Sequence, residues 1–361
     1  MTELLKDRYS HQYIEHLAAV VKRHYPLLDK EAFIAGVFDD DWQLRELKSR
    51  MHHIAICLHQ NISLDYPASI DLLKKFAPEF SGFEAMFFPD FVETYGMDEW
   101  EISIPALEYF TRFSSSEFSV RPFIIHDSER MMAQMLEWSL HDNEHVRRLA
   151  TEGCRPRLPW AMALPEFKRS PKAILPILEN LKQDSSLYVR RSVANNLNDI
   201  AKDNPQITLD IAARWLGDHP DTDWLIKHAS RTLLKKGDPQ ALVLFGFTHQ
   251  SSQVRRIELS SEQIFVGGSL EFSFELTSET GDLGKTRIEY AIDFLKANGK
   301  QSRKVFKISE SVISSDIKYC VKTHSFKPLS TRVHYAGQHH LTVIVNGIEK
   351  NSVAFDLLAA N

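Results

Sequence analysis

A helical segment recurs in this chain at intervals of about forty residues, a spacing typical of repeat proteins. VRRLATEGCR begins at Val146, and VRRSVANNLNDIA begins at Val189, 43 residues later. A related segment, LIKHASRTLLKKG, begins at Leu225 after a further 36 residues. Helical pairs that recur at such intervals stack into a solenoid, so the spacing favours HEAT-like repeats. The alternative is an irregular helical domain in which the VRR runs recur by chance.

The chain changes character near residue 250. Amphipathic patterns with short breaks at Pro or Gly predict helices over residues 1–250. Residues 254–361 instead alternate apolar and polar side chains, with turn signals at Gly267-Gly268, Asn298-Gly299 and Asn346-Gly347. About seven short strands in this segment predict a β-sandwich. The predicted fold class is therefore multidomain: an all-α HEAT-like repeat solenoid (1–250) followed by an all-β immunoglobulin-like sandwich (254–361).

Charge and cysteine content narrow the function classes. The chain has 43 Lys and Arg against 48 Asp and Glu, and residues 1–253 hold 29 of the basic and 36 of the acidic residues. Any nucleic-acid site there must be a local basic patch. The three cysteines are far apart and form no CxxC pair, which is typical of a reducing cytoplasm. No apolar run is long enough to span a bilayer, so we expect a cytoplasmic protein.

The spacing of the histidines predicts no metal site. The histidine pairs His52-His53 and His339-His340 are adjacent, whereas two ligands on one helix face are usually four residues apart. No Gly-rich phosphate loop and no helix-hairpin-helix signature is present.

The repeated helices carry polar side chains at equivalent positions. At 100° per residue the packing faces consist of Val146, Leu149, Ala150 and Gly153 in the first segment and Val189, Val193, Leu197 and Ile200 in the second. The opposite faces form a stripe of Arg148, Glu152 and Arg155, then Arg191, Asn195 and Asn198, then Lys227 and Arg231. Such a stripe suits a phosphate backbone, because each neutralised phosphate releases counterions. The alternative is a solvated face with an Arg148–Glu152 ion pair.

Glu152 favours a catalytic interpretation of the stripe. A carboxylate that faces phosphates is repelled, so it is a poor choice for a pure backbone binder. It fits a substrate that carries positive charge, such as an N3-alkylated adenine or cytosine. Cleavage of the glycosidic bond adds oxocarbenium character on the sugar, which a fixed carboxylate stabilises while it orients the attacking water.

The turn after the first segment, CRPRLPWAM, adds Arg155, Arg157 and Trp160. An indole beside a cationic base contributes a cation–π contact. The alternative is that Trp160 packs beneath the next repeat.

Residues 146–161, 189–205 and 223–239 resemble the AlkC family of HEAT-like repeat alkylpurine DNA glycosylases, relatives of AlkD. The segments NGKQSRKVFKI and YAGQHHLTVIVNG resemble the immunoglobulin-like domain appended to some members. The resemblance implies catalytic roles for Glu152, Arg148, Arg155 and Trp160. It adds Glu117 as a second carboxylate, with an ordinary solvated loop residue as the alternative. Asp199 is a weaker candidate, for which a structural hydrogen bond is the favoured interpretation.

The resemblance implies a monofunctional glycosylase that removes N3-methyladenine and N3-methylcytosine from double-stranded DNA. It needs no cofactor and no obligate protein partner. Because no lysine is offered as a nucleophile, we expect an abasic site without strand cleavage, made in the bacterial cytoplasm at the nucleoid. The predicted DNA contacts are Arg147, Arg157, Lys168, Arg169, Arg190, Arg191, Asn195, Asn198, Lys227, Arg231, Lys235, Lys236, Lys300, Arg303 and Lys304.

Three alternatives remain open at this point. In the first, the solenoid binds one protein and the sandwich binds another, because most HEAT-like repeats outside repair serve as binding surfaces. A second possibility is DNA binding without catalysis. The basic hairpin at residues 296–307, predicted to grip DNA, is alternatively a solvated hairpin.

Overall fold

The computed structural model describes residues 4–247, 252–279, 281–328 and 333–359. Residues 4–247 contain α-helices and short 3-10 helices, and the described residues from 252 onward contain strands. The α-helices are α1 (His11–His24), α2 (Lys30–Val37), α3 (Leu47–Asn61), α4 (Tyr66–Phe76), α5 (Phe87–Tyr95), α6 (Trp100–Phe110), α7 (Val120–His126), α8 (Ser128–Trp138), α9 (Glu144–Glu152), α10 (Pro165–Arg169), α11 (Leu175–Leu181), α12 (Leu187–Asp203), α13 (Pro205–Trp215), α14 (Pro220–Ala229), α15 (Arg231–Lys236) and α16 (Pro239–Leu244). The 3-10 helices lie at Leu5–Arg8, Trp42–Leu44, Ala77–Glu79 and Phe83–Met86.

The repeat segments behave as the spacing predicts. The first and second segments form α9 and α12, which pack side by side, and α12 packs in turn against α14. The predicted apolar positions of both segments are buried. Side-by-side packing of helices one repeat apart is the arrangement of a HEAT-like solenoid. The predicted fold class is confirmed.

Local sequence explains where α9 begins and ends. The side chain of Asn143 accepts a hydrogen bond from the main-chain N–H of His145 and caps the first turn. The helix ends at Gly153, where an added Cβ would lie 2.6 Å from Cγ2 of Val120. Only glycine therefore allows the end of α9 to approach α7 this closely.

The third segment differs from the prediction of one continuous helix. The chain leaves helical geometry at Ser230, and the segment is divided between α14 and α15. The assumed constant rotation of 100° per residue does not cross this break. The predicted equivalence of Arg231 with Glu152 is therefore wrong.

The strands form two sheets. They are β1 (Ser252–Leu259), β2 (Gln263–Phe265), β3 (Ser269–Ser278), β4 (Gly284–Leu295), β5 (Gln301–Ile313), β6 (Ile317–Ser325), β7 (Gly337–Val345) and β8 (Ile348–Leu358). One sheet has the order β1-β3-β6 and the other the order β2-β8-β7-β4-β5. All pairings are antiparallel except that of β2 with β8. Inward residues of both sheets, among them Phe272, Tyr290 and Phe355, share one apolar core.

The three predicted turns are confirmed. Gly267 and Gly299 have φ of 97° and 75° between successive strands. Asn346 and Gly347 join β7 to β8 with φ of 46° and 78°. Positive φ at both central residues is the geometry that Asn-Gly hairpin turns require.

Contacts divide the chain into two compact units. The first reaches Thr208 and also includes Arg214–Ala229, and the second consists of Leu209–Ala213 and the chain from Ser230 onward. Within the second unit the turn after α15 meets the β7–β8 turn, because a Cβ on Gly237 would lie 2.9 Å from the carbonyl oxygen of Gly347. The division at residues 250 and 254 follows the change in sequence pattern and stays a prediction. No helix among the described residues is long and apolar enough to cross a membrane.

Candidate active site

Arg148, on α9, contacts side chains from three segments of the candidate site. Its Nη1 donates to Oε2 of Glu117 at 2.6 Å and to the hydroxyl of Ser115 at 3.0 Å. Its Nη2 lies 3.5 Å from Oε1 of Glu152. The guanidinium also lies over the ring of Tyr188, 4.7 Å from its centre. One arginine thus joins the loop before α7, the last turn of α9 and the first turn of α12.

Glu152 and Arg155 continue the network inward. Nη1 of Arg155 donates to Oε1 of Glu152 at 2.6 Å, and its Nε donates to Oδ2 of Asp199 at 2.9 Å. The other oxygen of Glu152 accepts a hydrogen bond from Ser192. Lys202 donates to Oδ1 of Asp199 at 2.8 Å. We call Glu117, Glu152 and Asp199, with Arg148 and Arg155, the carboxylate cluster.

The position of Glu152 corrects the helical-wheel prediction. The wheel places Glu152 on a face opposite the packing face, but its exposed fraction is 5%. The reason is that α12 covers this side of α9, where Thr151 and Ser192 share a hydrogen bond of 2.9 Å. Glu152 is therefore a buried charge held by two arginines, not a residue on an open surface.

The three carboxylates differ in how fully their oxygens are engaged. Both oxygens of Glu152 and both of Asp199 accept hydrogen bonds. Glu117 accepts from Ser115 and Arg148 through Oε2 alone. Its Oε1 has no hydrogen bond to any residue that the structure describes, and 16% of the side chain is exposed. Glu117 is thus the carboxylate with an oxygen still available to a ligand.

The cluster keeps its arginines charged. Burial alone would lower the pKa of Arg148 and of Arg155. The carboxylates beside them outweigh burial, so both pKa values lie above the usual arginine range. The neighbouring thiol of Cys154 is inert, because burial raises its pKa to about 12.

Trp160 lies on the turn that follows α9. Its side chain is 65% exposed, so the alternative in which it packs beneath the next repeat is wrong. The ring of Phe83 meets the indole edge-on at 6.2 Å. Its φ is 62°, a backbone conformation that costs a bulky residue about 1–3 kcal/mol. An exposed aromatic ring on a strained backbone is typical of a functional position.

A lysine links this turn to the loop that carries Glu117. Nζ of Lys48 donates to the carbonyl oxygen of Trp160 at 3.1 Å. The same ammonium lies 4.5 Å from the ring centre of Phe118, the residue after Glu117. Trp160 and Glu117 are therefore carried by segments that one side chain joins.

Two of the arginines predicted to contact DNA have a structural role. Arg147 binds Asp184 through Nε (2.6 Å) and Nη2 (3.1 Å), and Arg190 binds Asp221 through Nη2 (3.1 Å). Each also donates to two carbonyls of the loop before its own helix. The middle arginine of each VRR run thus links its repeat to the next one, and a DNA contact of either arginine stays a prediction.

The remaining predicted contacts of the helical unit differ in exposure. Arg157 forms an exposed ion pair with Asp203, with donor–acceptor distances of 2.6 and 2.8 Å. Arg191 is exposed and makes no hydrogen bond or ion pair to the described residues. The others are exposed (Arg169, Lys227), partly buried (Lys168, Asn195) or buried (Asn198).

Three predicted contacts of the second unit converge. Lys235, Lys236 and Arg303 line one cleft, together with Glu289 and Glu349. Arg303 is paired with Glu349 at 3.1 Å, so the cleft has mixed charge. Lys300 lies in the turn of the β4–β5 hairpin and Lys304 on β5, both exposed, and Arg231 is partly buried at the start of α15.

Sequence reasoning missed several members of the site. Ser115, Tyr188 and Ser192 bind its charged side chains. Asp199, a weaker candidate from the sequence, belongs to the cluster through its hydrogen bond with Arg155. The missed signal is the repeat interval itself: Arg155 and Asp199 are 44 residues apart. Among the described residues no group of three or more His, Cys, Asp or Glu could hold a metal ion.

Comparisons with known proteins agree with this architecture. Residues 253–359 match the family model of the C-terminal Ig-like domain of the uncharacterised protein YhaZ. The uncharacterized protein YhaZ of Bacillus subtilis (strain 168) is 49% identical over 355 residues, which are 98% of this chain and 99% of the relative.

A solved structure matches both parts of the chain. It is the Pseudomonas fluorescens alkylpurine DNA glycosylase AlkC bound to DNA containing an abasic site analog. The TM-score is 0.96 at 38% sequence identity, and the match covers 99% of this chain and 100% of that one. The fold and the cluster thus define a HEAT-like repeat protein with an appended immunoglobulin-like domain. The chain belongs to the AlkC family.

Proposed function

We propose that this protein is a monofunctional DNA glycosylase that hydrolyses the glycosidic bond of cationic alkylated bases. N3-methyladenine and N3-methylcytosine are the proposed substrates, and an abasic site is the product. The observation that carries the proposal is the carboxylate cluster, in which Glu117 keeps an oxygen available beside the charged Arg148. The 38% identity to an alkylpurine DNA glycosylase over 99% of the chain supports the same reaction class.

The proposed chemistry follows from charge. Departure of the base leaves positive charge on the sugar, which a fixed carboxylate stabilises strongly where water is excluded. The available oxygen of Glu117 stabilises this positive charge and orients the attacking water. Glu152 holds Arg148 and Arg155 in place, and its own charge adds to the negative potential of the cluster. Because the alkylated base already carries positive charge, no general acid is needed.

Trp160 is proposed to recognise the damaged base. Its exposed indole offers a ring face to a cationic purine or pyrimidine, and such a contact contributes about 0.5–2 kcal/mol. A neutral base gains less from the same ring. The aromatic contact and the carboxylates therefore select for the same property of the base, its positive charge.

Double-stranded DNA is the proposed partner, held by a reduced set of the predicted contacts. Arg191 is the strongest candidate for a phosphate contact, because it is exposed and makes no hydrogen bond or ion pair with the described residues. Lys227 on α14, and Lys235 and Lys236 at the end of α15, are exposed as well. We propose a cytoplasmic site of action, without a cofactor and without an obligate protein partner.

The rival proposal is a scaffold that binds protein or DNA without catalysis. It gives no reason for a buried or partly buried cluster of three carboxylates and two arginines, an arrangement that costs stability, or for an exposed tryptophan with a strained backbone. Incubation of the protein with methylated double-stranded DNA separates the proposals. Chromatography of the supernatant should detect free methylated base, and the DNA should break only after alkali. Bound DNA without released base would support the scaffold.

A further inference from the structure

Arg121 is the most deeply buried charged side chain near the cluster. It is the second residue of α7 and has no measurable exposure. Nη1 donates to the carbonyls of Gly153 at 2.8 Å and Arg155 at 2.9 Å. Nε and Nη2 both donate to the carbonyl of Met162, at 2.8 and 2.5 Å. Four hydrogen bonds thus join one guanidinium to both ends of the turn 153–162.

This guanidinium makes no ion pair with any described residue. Burial lowers the pKa of Arg121 to about 10, because removing the charged form from water is unfavourable. The carbonyls of Gly153 and Arg155 offset part of this cost, because they lie at the negative end of α9. An apolar side chain of similar volume would fill the space without the desolvation cost. Packing alone therefore does not explain an arginine here.

The turn that Arg121 holds carries two members of the candidate site. Arg155 lies near its start and Trp160 near its end. The indole is largely exposed, so contacts of the ring itself do not fix its direction. Its backbone is held instead through the carbonyls, by Arg121 at both ends of the turn and by Lys48 at Trp160.

We propose that Arg121 is a positioning residue, which fixes Arg155 and Trp160 in their functional directions before DNA binds. Lys48 assists at the carbonyl of Trp160. The proposal rests on the proposed glycosylase function for its effect on rate, but its structural part stands without that function.

Arg121→Lys tests the proposal, with Arg50→Lys as the matched control. Arg50 is also buried and also donates to main-chain carbonyls, those of Lys6 and Arg45, but outside the cluster. In single-turnover excision at saturating enzyme, below the melting midpoint of both variants, Arg121→Lys should lower the rate at least about tenfold. Arg50→Lys should stay within about twofold of wild type, which corresponds to about 0.4 kcal/mol. Equal rates in the two variants would overturn the proposal.

Tryptophan fluorescence tests the structural part without any reaction. Each variant is combined with Trp160→Phe, and the difference between the paired emission spectra isolates Trp160. Acrylamide quenching of that difference should change in Arg121→Lys and remain at the wild-type value in Arg50→Lys. If wild type releases no base, the proposed function fails, and the quenching result alone decides the role of Arg121.

Lys48→Met covers the case in which Arg121→Lys does not fold. Lys48 is exposed, so its replacement preserves the core while it removes the donor to the carbonyl of Trp160. Quenching of Trp160 should shift in the same direction as in Arg121→Lys. Unchanged quenching in Lys48→Met would show that carbonyl contacts do not hold the turn, and the proposal would then be wrong.

Discussion

Glu152→Gln is the substitution whose two effects the structure separates best. The change keeps the shape of the side chain and removes its charge. Oε1 loses its ion pair with Arg155 at 2.6 Å and its attraction to Arg148 at 3.5 Å. Neither arginine is left without a partner, because Arg148 keeps Glu117 and Arg155 keeps Asp199.

The expected loss of stability follows from these contacts. Stranding a buried charge costs about 3–5 kcal/mol, but here each arginine keeps one carboxylate. The loss should therefore be closer to that of one charged hydrogen bond, about 1.5–3 kcal/mol. For a unit of this size that lowers the melting midpoint by about 3–12 °C. Excision should fall at least about 100-fold, equivalent to about 2.7 kcal/mol of transition-state stabilisation.

The assay is single-turnover release of N3-methyladenine at saturating enzyme, well below the midpoint of the variant, with calorimetry in parallel. Affinity for DNA should stay the same or rise, because a negative charge has been removed. An excision rate within about threefold of wild type, with a lowered midpoint, would show that Glu152 is structural. An unchanged midpoint would refute the reasoning about the buried network itself.

The other predictions concern four side chains. Glu117→Gln should lower the excision rate by at least about 100-fold. Its loss of stability should be smaller than that of Glu152→Gln, because Glu117 lies nearer the surface. A normal excision rate would show that Glu117 is not catalytic. Trp160→Ala should slow excision of cationic bases about tenfold and leave the melting midpoint within a few degrees. Arg191→Ala should lower the salt dependence of DNA affinity by about one unit, whereas an unchanged slope would exclude a phosphate contact. Arg147→Ala should destabilise the fold by about 3–5 kcal/mol by leaving Asp184 unpaired, as measured by urea unfolding.

Local patterns in the sequence predicted much of the fold. The 43-residue interval identified the neighbouring helices α9 and α12, because stacked repeats bury the same face in each copy. Asn346-Gly347 identified a hairpin turn, because its backbone geometry requires residues that tolerate positive φ. The turn depends on two adjacent residues, and the helix pair depends on a pattern that each copy repeats, so both could be predicted from the sequence.

The environment of the site was harder to predict, because the partners come from the neighbouring repeat. A helical wheel shows which residues share a face but not what covers that face. Glu152 is buried because α12 lies against it. Arg147, predicted to contact DNA, binds Asp184, which lies 37 residues later in the chain. In a repeat protein, the partner of a charged side chain is expected about one repeat length further along the chain, as Asp199 is from Arg155.

The most direct test of the account compares a cationic with a neutral lesion at one position of a DNA duplex. Single-turnover excision should be measured for N3-methylcytosine, which is positively charged, and for O6-methylguanine, which is neutral. The cationic base should be released at least about 100-fold faster, because Glu117 and Trp160 are both proposed to act on positive charge. Equal rates for the two bases, or no release of N3-methylcytosine and N3-methyladenine, would contradict it.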